Sequence, residues 1–356
     1  MMPGLVSVIT PCYDAAPFVG ETIAAVRGQT YAPVEHVVID DGSSDGSWAV
    51  IEAAQAESVR AGRGDRMRTV RLAQNGGASH ARNVGAALAR GEYLMFLDAD
   101  DLLAPDTLAA LVAAVRDRPG NIGVCRWRYL RRSRTGTWAP EPRDVLLPVG
   151  ADHIREHLIG MCWVPPCAIL WRRDVYATTG GWDETLSSGD DTDLLLSAHL
   201  DGANLALATG GEAYYRRFDG MDRLSLSAYV FSASRFRSRI RTLDKLAARL
   251  DARGRLAEYA VPLGTVYQEQ ARIAYQQGFV ELGRECQARG EQLAGGPLPV
   301  SRSRVGRVLS RLLGMERKER VMQALASRGI GTRQRRGAVR ARVKHGRCLG
   351  DAGPNG

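Results

Sequence analysis

The sequence is short of the features that would place it inside a membrane or in an oxidising compartment. Six cysteines (Cys12, Cys125, Cys162, Cys167, Cys286, Cys348) are scattered without a CxxC pair, so neither a zinc ribbon nor a disulfide framework is indicated. No window approaches about 18 uninterrupted apolar residues, the length a membrane-spanning helix needs. The opening stretch "MMPGLVSVITPCYD" has no basic region ahead of its apolar run, and that run is too short for a signal peptide. Lysine is scarce while arginine, alanine and glycine are plentiful, a bias of base composition more than of function. No solenoid-type repeat occurs. What is there is a chain of 356 residues, enough for one large α/β domain with an appendage or for two domains. A cytoplasmic location is the expectation.

An excess of positive charge is also missing from most of the chain. The net charge is +9, but residues after Gly296 hold fifteen Lys/Arg against three Asp/Glu, a balance of +12, which leaves −3 for the first 296 residues. A basic tail suits an anionic surface, either lipid headgroups or nucleic acid, and equally a solvated terminus with no partner. "SRSRVGRVLSRLLGMERKERVMQAL" sets Val305, Val308, Leu309, Leu312 and Leu313 on one helical face with arginines around the rest. That pattern fits a helix lying on an anionic membrane, or one docked on its own protein. "RQRRGAVRARVKHGR" has little aromatic interleaving for base stacking, so nucleic acid is the weaker expectation.

The first hundred residues alternate between two periods. "LVSVIT", "VEHVVID", "MRTVRL" and "EYLMFL" read as strands; "FVGETIAAVRGQ", the stretch after Asp45 with Trp48, Ile51 and Ala54, and "ASHARNVGAALARG" read as helices, the last ending at Gly91 as a C′ glycine. Nearly unbroken apolar strands between helices argue for a parallel sheet covered on both faces. Each strand carries its polar residues at the carboxyl end, the edge where open α/β sheets bind ligands. Beyond Ile122 the pattern is irregular: a hairpin, a strand with a short helix, a helix at "DDTDLLLSAHLDG", then "ANLALAT" and "EAYYRRF" as strands. After Leu224 the chain is helical and polar, up to a linker at "AGGPLP".

Residues 93–101, "YLMFLDADD", put three carboxylates within four residues at the end of an apolar strand. Crowded acids raise one another's pKa and cost stability unless a cation or hydrogen-bond donors compensate. If the strand continues, Asp98 and Asp100 point to the same side and offer two oxygen ligands to a hard ion such as Mg²⁺ or Mn²⁺. Read alone, the same acids could face water, or Asp101 could cap a helix starting near Pro105. "IDDGSSDGS" repeats the arrangement one strand earlier with Asp40 and Asp41, where a carboxylate can accept the N–H of a base or simply close a turn. "GGWDETLSSGDDTDLLL" places Asp190 and Asp191 at the head of a helix, either as a general base or as dipole-favoured caps.

These clusters, in this order, are similar to those of glycosyltransferase family 2 with the GT-A fold. The stretches that carry the resemblance are "VSVITPCYDAAPFVGETIAAVRGQTY", "EHVVIDDGSSDGSW", "NGGASHARNVGAALARGEYLMFLDADDLLAPDTL" and "TGGWDETLSSGDDTDLLLSAHLDG", together roughly residues 5–220. The resemblance implies an inverting glycosyltransferase using a nucleoside-diphosphate sugar, with Mg²⁺ or Mn²⁺ as cofactor. It implies that Pro11 and Tyr13 line the nucleotide pocket and that Asp40 binds the base. Arg82 would approach the diphosphate or base, Asp98 and Asp100 would form the D-x-D that binds donor and metal, and Asp191 would be the catalytic base. Family members usually carry Glu-Asp where this chain has Asp190-Asp191, and often a His where it has Phe218.

The expected architecture is therefore α/β, a GT-A (Rossmann-like) mixed sheet flanked by helices with a helical C-terminal extension. The expected division is 1–222 for the GT-A domain, 223–296 for the extension and 297–356 for the basic tail. Expected partners are a nucleotide-sugar donor, UDP-sugar first, a carbohydrate or lipid-linked acceptor, and an anionic inner membrane face reached through the tail. The alternative is a non-catalytic sugar-nucleotide-binding subunit of a glycan assembly complex. "HIREH" at 153–157 also matches the H-x-x-E-H zinc pattern, but it lies between the two glycosyltransferase motifs, and a surface helix is the expectation there.

Overall fold

The computed structural model describes residues 1–118, 120–133, 136–142, 152–160, 163–218, 232–297 and 304–327. The chain divides into two compact units, Met1–Val266 and Tyr267–Gly356. The expected boundary at 222/223 lies outside the described residues, as do the last two residues of the linker expected at 294–299, the stretch 300–303 and the tail from 328 onward.

The first unit opens with the alternation read from the sequence: β1 (Met2–Cys12), α1 (Val19–Arg27), β2 (Val34–Asp40), α2 (Ser47–Arg60), β3 (Met67–Arg71), α3 (Ala78–Leu88) and β4 (Gly91–Phe96). It continues with β5 (Leu102–Leu103), α4 (Thr107–Val115), β6 (Asn121–Arg132), β7 (Trp138–Pro140), α5 (His153–Leu158), β8 (Ile169–Arg172), α6 (Arg173–Thr178), α7 (Asp190–Leu200), β9 (Asn204–Arg217) and α8 (Ala233–Asp251). The helix α9 (Leu256–Gln276) begins in this unit, and α10 (Val280–Ala294) and α11 (Arg304–Ser327) belong to the second.

The strands form one sheet in the order β3-β2-β1-β4-β8-β6-β9-β5, with β7 paired to β6. β1, β2, β3 and β4 are mutually parallel, whereas β8 runs antiparallel to both β4 and β6. The sheet is thus mixed, as expected. Its parallel half is apolar on both faces because α/β crossovers cover both: Val6, Val8, Ile9, Val37, Ile39, Leu94 and Phe96 are fully buried. "ANLALAT" and "EAYYRRF" are one strand rather than two. β9 runs through Gly210–Gly211 alongside β6, with a register shift between Val124 and Arg126 where Gly211 takes a φ of 74°.

Gly91 is not the C′ residue of α3. The helix ends at Leu88 and Gly91 opens β4, where a Cβ would lie 2.5 Å from Leu5 O and 2.6 Å from Ser7 Oγ. It is glycine because β1 passes too close for a side chain. The "HIREH" helix is also not a plain surface element: His153 is buried and its ring lies 4.8 Å from that of His199 on α7.

Candidate active site

The carboxyl ends of β1, β2 and β4 meet at one edge of the sheet, and the acids picked out in the sequence lie there. β4 stops at Phe96, so the D-x-D does not continue a strand. Instead Asp98 to Asp101 close a turn, with the Asp101 N–H donating to Asp98 O at 3.0 Å. Thr22 of α1 fixes that turn from below, its hydroxyl 2.8 Å from Ala99 O and 3.0 Å from Asp101 O. Burial and the neighbouring Asp98 charge push the Asp100 carboxyl up to about 7.

Asp101 has a different task from the helix cap envisaged for it. It is 1% exposed, and its Oδ1 accepts the Arg216 N–H of β9 at 2.8 Å, while α4 starts only at Thr107. Burial and the charges of Asp100 and Asp98 push it well above the usual aspartate range. The guanidinium of Arg216 is itself buried between the Phe18 and Trp138 rings, 4.6 and 4.7 Å from their centroids, and reaches Glu21 at 2.6 Å. Phe218 closes the same aromatic group, 5.3 Å from Phe18 and 5.2 Å from Trp138.

At the carboxyl end of β2 two adjacent aspartates divide the work. Asp41 closes the Gly76–Gly77 turn, accepting both backbone N–H groups at 2.8 Å. Asp40 is fully buried; Arg71 Nε stands 3.2 Å from its Oδ2, yet neither oxygen accepts a hydrogen bond. Pro11 is buried beside it at the end of β1, and Tyr13 next along is 49% exposed. The loop after Tyr13 is clasped to the one after Asp41: Asp14, with φ 46°, accepts the Ser44 N–H at 2.8 Å, and Asp45 accepts the Ala16 N–H at 3.0 Å.

Arg82 of α3 joins the D-x-D to the downstream acids. One guanidinium nitrogen donates to Asp98 at 2.7 Å and another to Asp190 at 3.0 Å, while the plane lies 4.3 Å from the Trp182 ring centroid. Burial alone would lower its pKa, but the Asp98 and Asp190 charges outweigh that and raise it. Both terminal nitrogens of Arg82 are therefore engaged by carboxylates. Asp191 follows at the start of α7, where Trp163 Nε1 donates to its Oδ2 at 2.9 Å and the Thr192 N–H to its Oδ1 at 2.7 Å. Burial and the Asp190 charge raise its pKa against the pull of the Trp163 bond. The loop leading to α7 is held by α8: Ser238 accepts the N–H groups of Ser187 and Ser188, and Lys245 bridges Asp183 and Asp193 at 2.6 and 2.7 Å.

Residues 7–177 match the family profile of glycosyl transferase family 2. That segment has the fold of family 2 glycosyltransferases.

The chain is 28% identical over 225 residues to an uncharacterized glycosyltransferase of Bacillus subtilis, EpsJ, covering 61% of this chain and 62% of that protein. It is 29% identical over 123 residues to the glycosyltransferase GlyG of Streptococcus pneumoniae, covering 35% and 39%. The putative teichuronic acid biosynthesis glycosyltransferase TuaG of Bacillus subtilis is 35% identical over 114 residues, covering 32% and 43%. The chain thus spans less than two thirds of each of these curated relatives. Among solved structures, residues 1–349 of S. aureus TarS in complex with UDP-GlcNAc align with a TM-score of 0.61 at 17% identity, covering 91% of this chain and 92% of that one. That likeness is one of fold, GT-A with a helical C-terminal part.

Arg82 brings Asp98, inside the matched segment, and Asp190, beyond it, together on one guanidinium, and the D-x-D presents only oxygen donors. Among the described residues no group of three or more His, Cys, Asp and Glu side chains is placed to hold a metal. Two carboxylates are the complement that Mg²⁺ takes when substrate phosphates supply further oxygens, so the residues fit such an ion. The sequence reading missed the structural roles of Asp14, Trp163, Arg216 and Lys245. Asp14 carried a local signal, being an Asp in a loop that needs αL. The other three carried none, because their partners lie 28 to 115 residues away.

Proposed function

We propose that this chain is an inverting glycosyltransferase that moves a sugar from a nucleoside-diphosphate donor, a UDP-sugar, to a hydroxyl of a carbohydrate or lipid-linked acceptor in cell-surface polysaccharide or glycolipid synthesis. The observation that carries the reading is the Arg82 bridge, which ties the D-x-D to the helix start that bears Asp191. Asp191 takes the proton of the acceptor hydroxyl as that oxygen bonds to the anomeric carbon, and the bond to the diphosphate breaks with its electron pair leaving on the nucleotide. Asp98 and Asp100 would hold Mg²⁺ or Mn²⁺, which when bound neutralises charge on the departing diphosphate. Asp40 accepts a base N–H, since neither of its oxygens takes a hydrogen bond within the protein, and Pro11 and Tyr13 flank the base. Arg82 holds Asp98 and Asp190 in place beside the diphosphate.

The test is a pair of variants. Asp100→Ala and Asp191→Ala should each abolish transfer, and only the first should weaken metal-dependent nucleotide binding in a thermal-shift panel of UDP-, dTDP- and GDP-sugars with and without Mn²⁺. Full activity in Asp191→Ala removes the base assignment. Donor binding without transfer or donor hydrolysis in the wild type points instead to a binding subunit.

The same reading places the protein on an anionic membrane face. No described helix is long and apolar enough to cross a membrane. On α11, Leu312 is 75% exposed and Leu313 38%, and the chain after Gly296 carries the excess positive charge. The side chains of Val305, Val308 and Leu309 lie outside the described residues. Equal flotation with anionic liposomes by chains with and without residues 297–356 would rule the tail out as the anchor.

A further inference from the structure

Trp163 stands where the base is held, and its indole can only donate a hydrogen bond. Its Nε1–H is spent on Asp191 Oδ2 at 2.9 Å, while the opposite oxygen takes the Thr192 N–H at 2.7 Å. The carboxylate is thus fixed from two sides, once by its own helix and once from outside it. The outside hold is stiff because the indole sits edge-on against Trp127 at 5.3 Å and Tyr215 at 5.5 Å, and Trp127 is itself only 2% exposed. Tyr215 precedes Arg216, whose backbone N–H holds Asp101 beside the D-x-D. The rings on β6 and β9 therefore set the base against the same strand that anchors the donor-side turn.

We propose that Trp163 is a positioning residue for the transfer reaction: its indole N–H holds the Asp191 carboxylate, ionised, in the orientation from which it takes the acceptor's proton. This rests on the reading of Asp191 as the base. A hydrogen bond from a neutral donor favours the charged carboxylate. It acts here against burial and against Asp190 on the same helix, and alongside Arg82 from α3. From α8, Lys245 is taken up by Asp183 and Asp193. An orienting contact of this kind is worth as much as about 100-fold in rate, since small misplacements of a reacting group are costly.

Trp163→Phe keeps a ring in the cluster and deletes the donor. It should lower kcat for transfer by about 10- to 100-fold and leave the donor KM within about twofold of wild type. The acid limb of the kcat pH profile should move to higher pH, because the charged form loses a donor. Trp163→His, which restores a ring N–H, should recover part of the rate. Wild-type kcat and an unmoved acid limb in Trp163→Phe overturn the proposal, as does a loss confined to donor KM. Should the phenylalanine variant melt below the assay temperature, both variants are assayed at a temperature where it stays folded, with the same expected and overturning outcomes. Asp191→Ala, run beside them, separates the two readings. Lost transfer there with a wild-type Trp163→Phe removes only the role of Trp163, while full activity in Asp191→Ala removes the base.

Discussion

Strand β2 buries a carboxylate at each end, and the two are treated in opposite ways. Glu35, near the amino end, is 1% exposed and fully served: Ser7 Oγ donates at 2.6 Å, and the backbone N–H and Nε of Arg90 donate at 2.6 and 2.8 Å. Burial by itself would raise its pKa, but those bonds outweigh it and hold Glu35 below the ordinary glutamate value. Asp40, at the carboxyl end, is equally buried and accepts no hydrogen bond. Its Oδ2 has only the half-exposed Arg71 guanidinium, 3.2 Å away as an ion pair, in place of the hydrogen bonds a buried carboxylate ordinarily takes. The amino edge of the sheet has thus been closed for stability, while the carboxyl edge keeps acceptor capacity and like charges that a ligand would relieve. Crowding at Asp98, Asp100 and Asp101 belongs with Asp40 in this respect.

Three measurements bear on that contrast, the largest effect first. Glu35→Ala should cost about 3 kcal/mol in urea unfolding, because it strands the buried Ser7 hydroxyl and removes the charge-assisted bonds from Arg90. Its nucleotide affinity should stay within about twofold of wild type; a matching loss of affinity would erase the difference between the two edges.

His36, between the two acids on β2, sharpens the stability side. It is buried against Thr10 Oγ1 at 2.9 Å, and burial pulls its pKa down to about 3. Because the folded value lies below the unfolded one, the folded state binds fewer protons, and stability falls as pH drops from about 6.5 toward 3. His36→Gln should make the stability profile shallower over pH 6.5 to 4.5 by about 1.4 kcal/mol per pH unit at most. Identical slopes in the two proteins would show that His36 does not titrate on unfolding.

Asp40→Asn is the smallest change. It should weaken UDP binding about tenfold, equivalent to about 1.4 kcal/mol, and leave the melting temperature unchanged or slightly raised. A lowered melting temperature with intact UDP binding would make Asp40 a structural acid like Glu35.

The three acid pairs show how far the sequence could be read. That Asp40-Asp41, Asp100-Asp101 and Asp190-Asp191 lie at strand ends or a helix start was legible, because apolar periodicity and turn residues are local signals. How each pair divides was not. Asp41 closes a turn on Gly76 and Gly77 while Asp40 accepts no hydrogen bond and meets only the Arg71 guanidinium as an ion pair. Asp101 is tied to β9 while Asp100 stays in the D-x-D, and Asp190 joins Arg82 while Asp191 takes Trp163. Neighbours of identical chemistry take different parts because each meets a different distant donor.

The sequence by itself therefore determined the alternation of strand and helix and the edge at which the acids gather, since both follow from short-range pattern. Only the tertiary structure decided which carboxylates are satisfied and which are held open. It also decided that Gly91 serves β1 rather than a helix end, and that an indole and a buried arginine from β9 support the site. Those outcomes depend on donors and close approaches between residues far apart in the chain, and nothing in the local pattern encodes them.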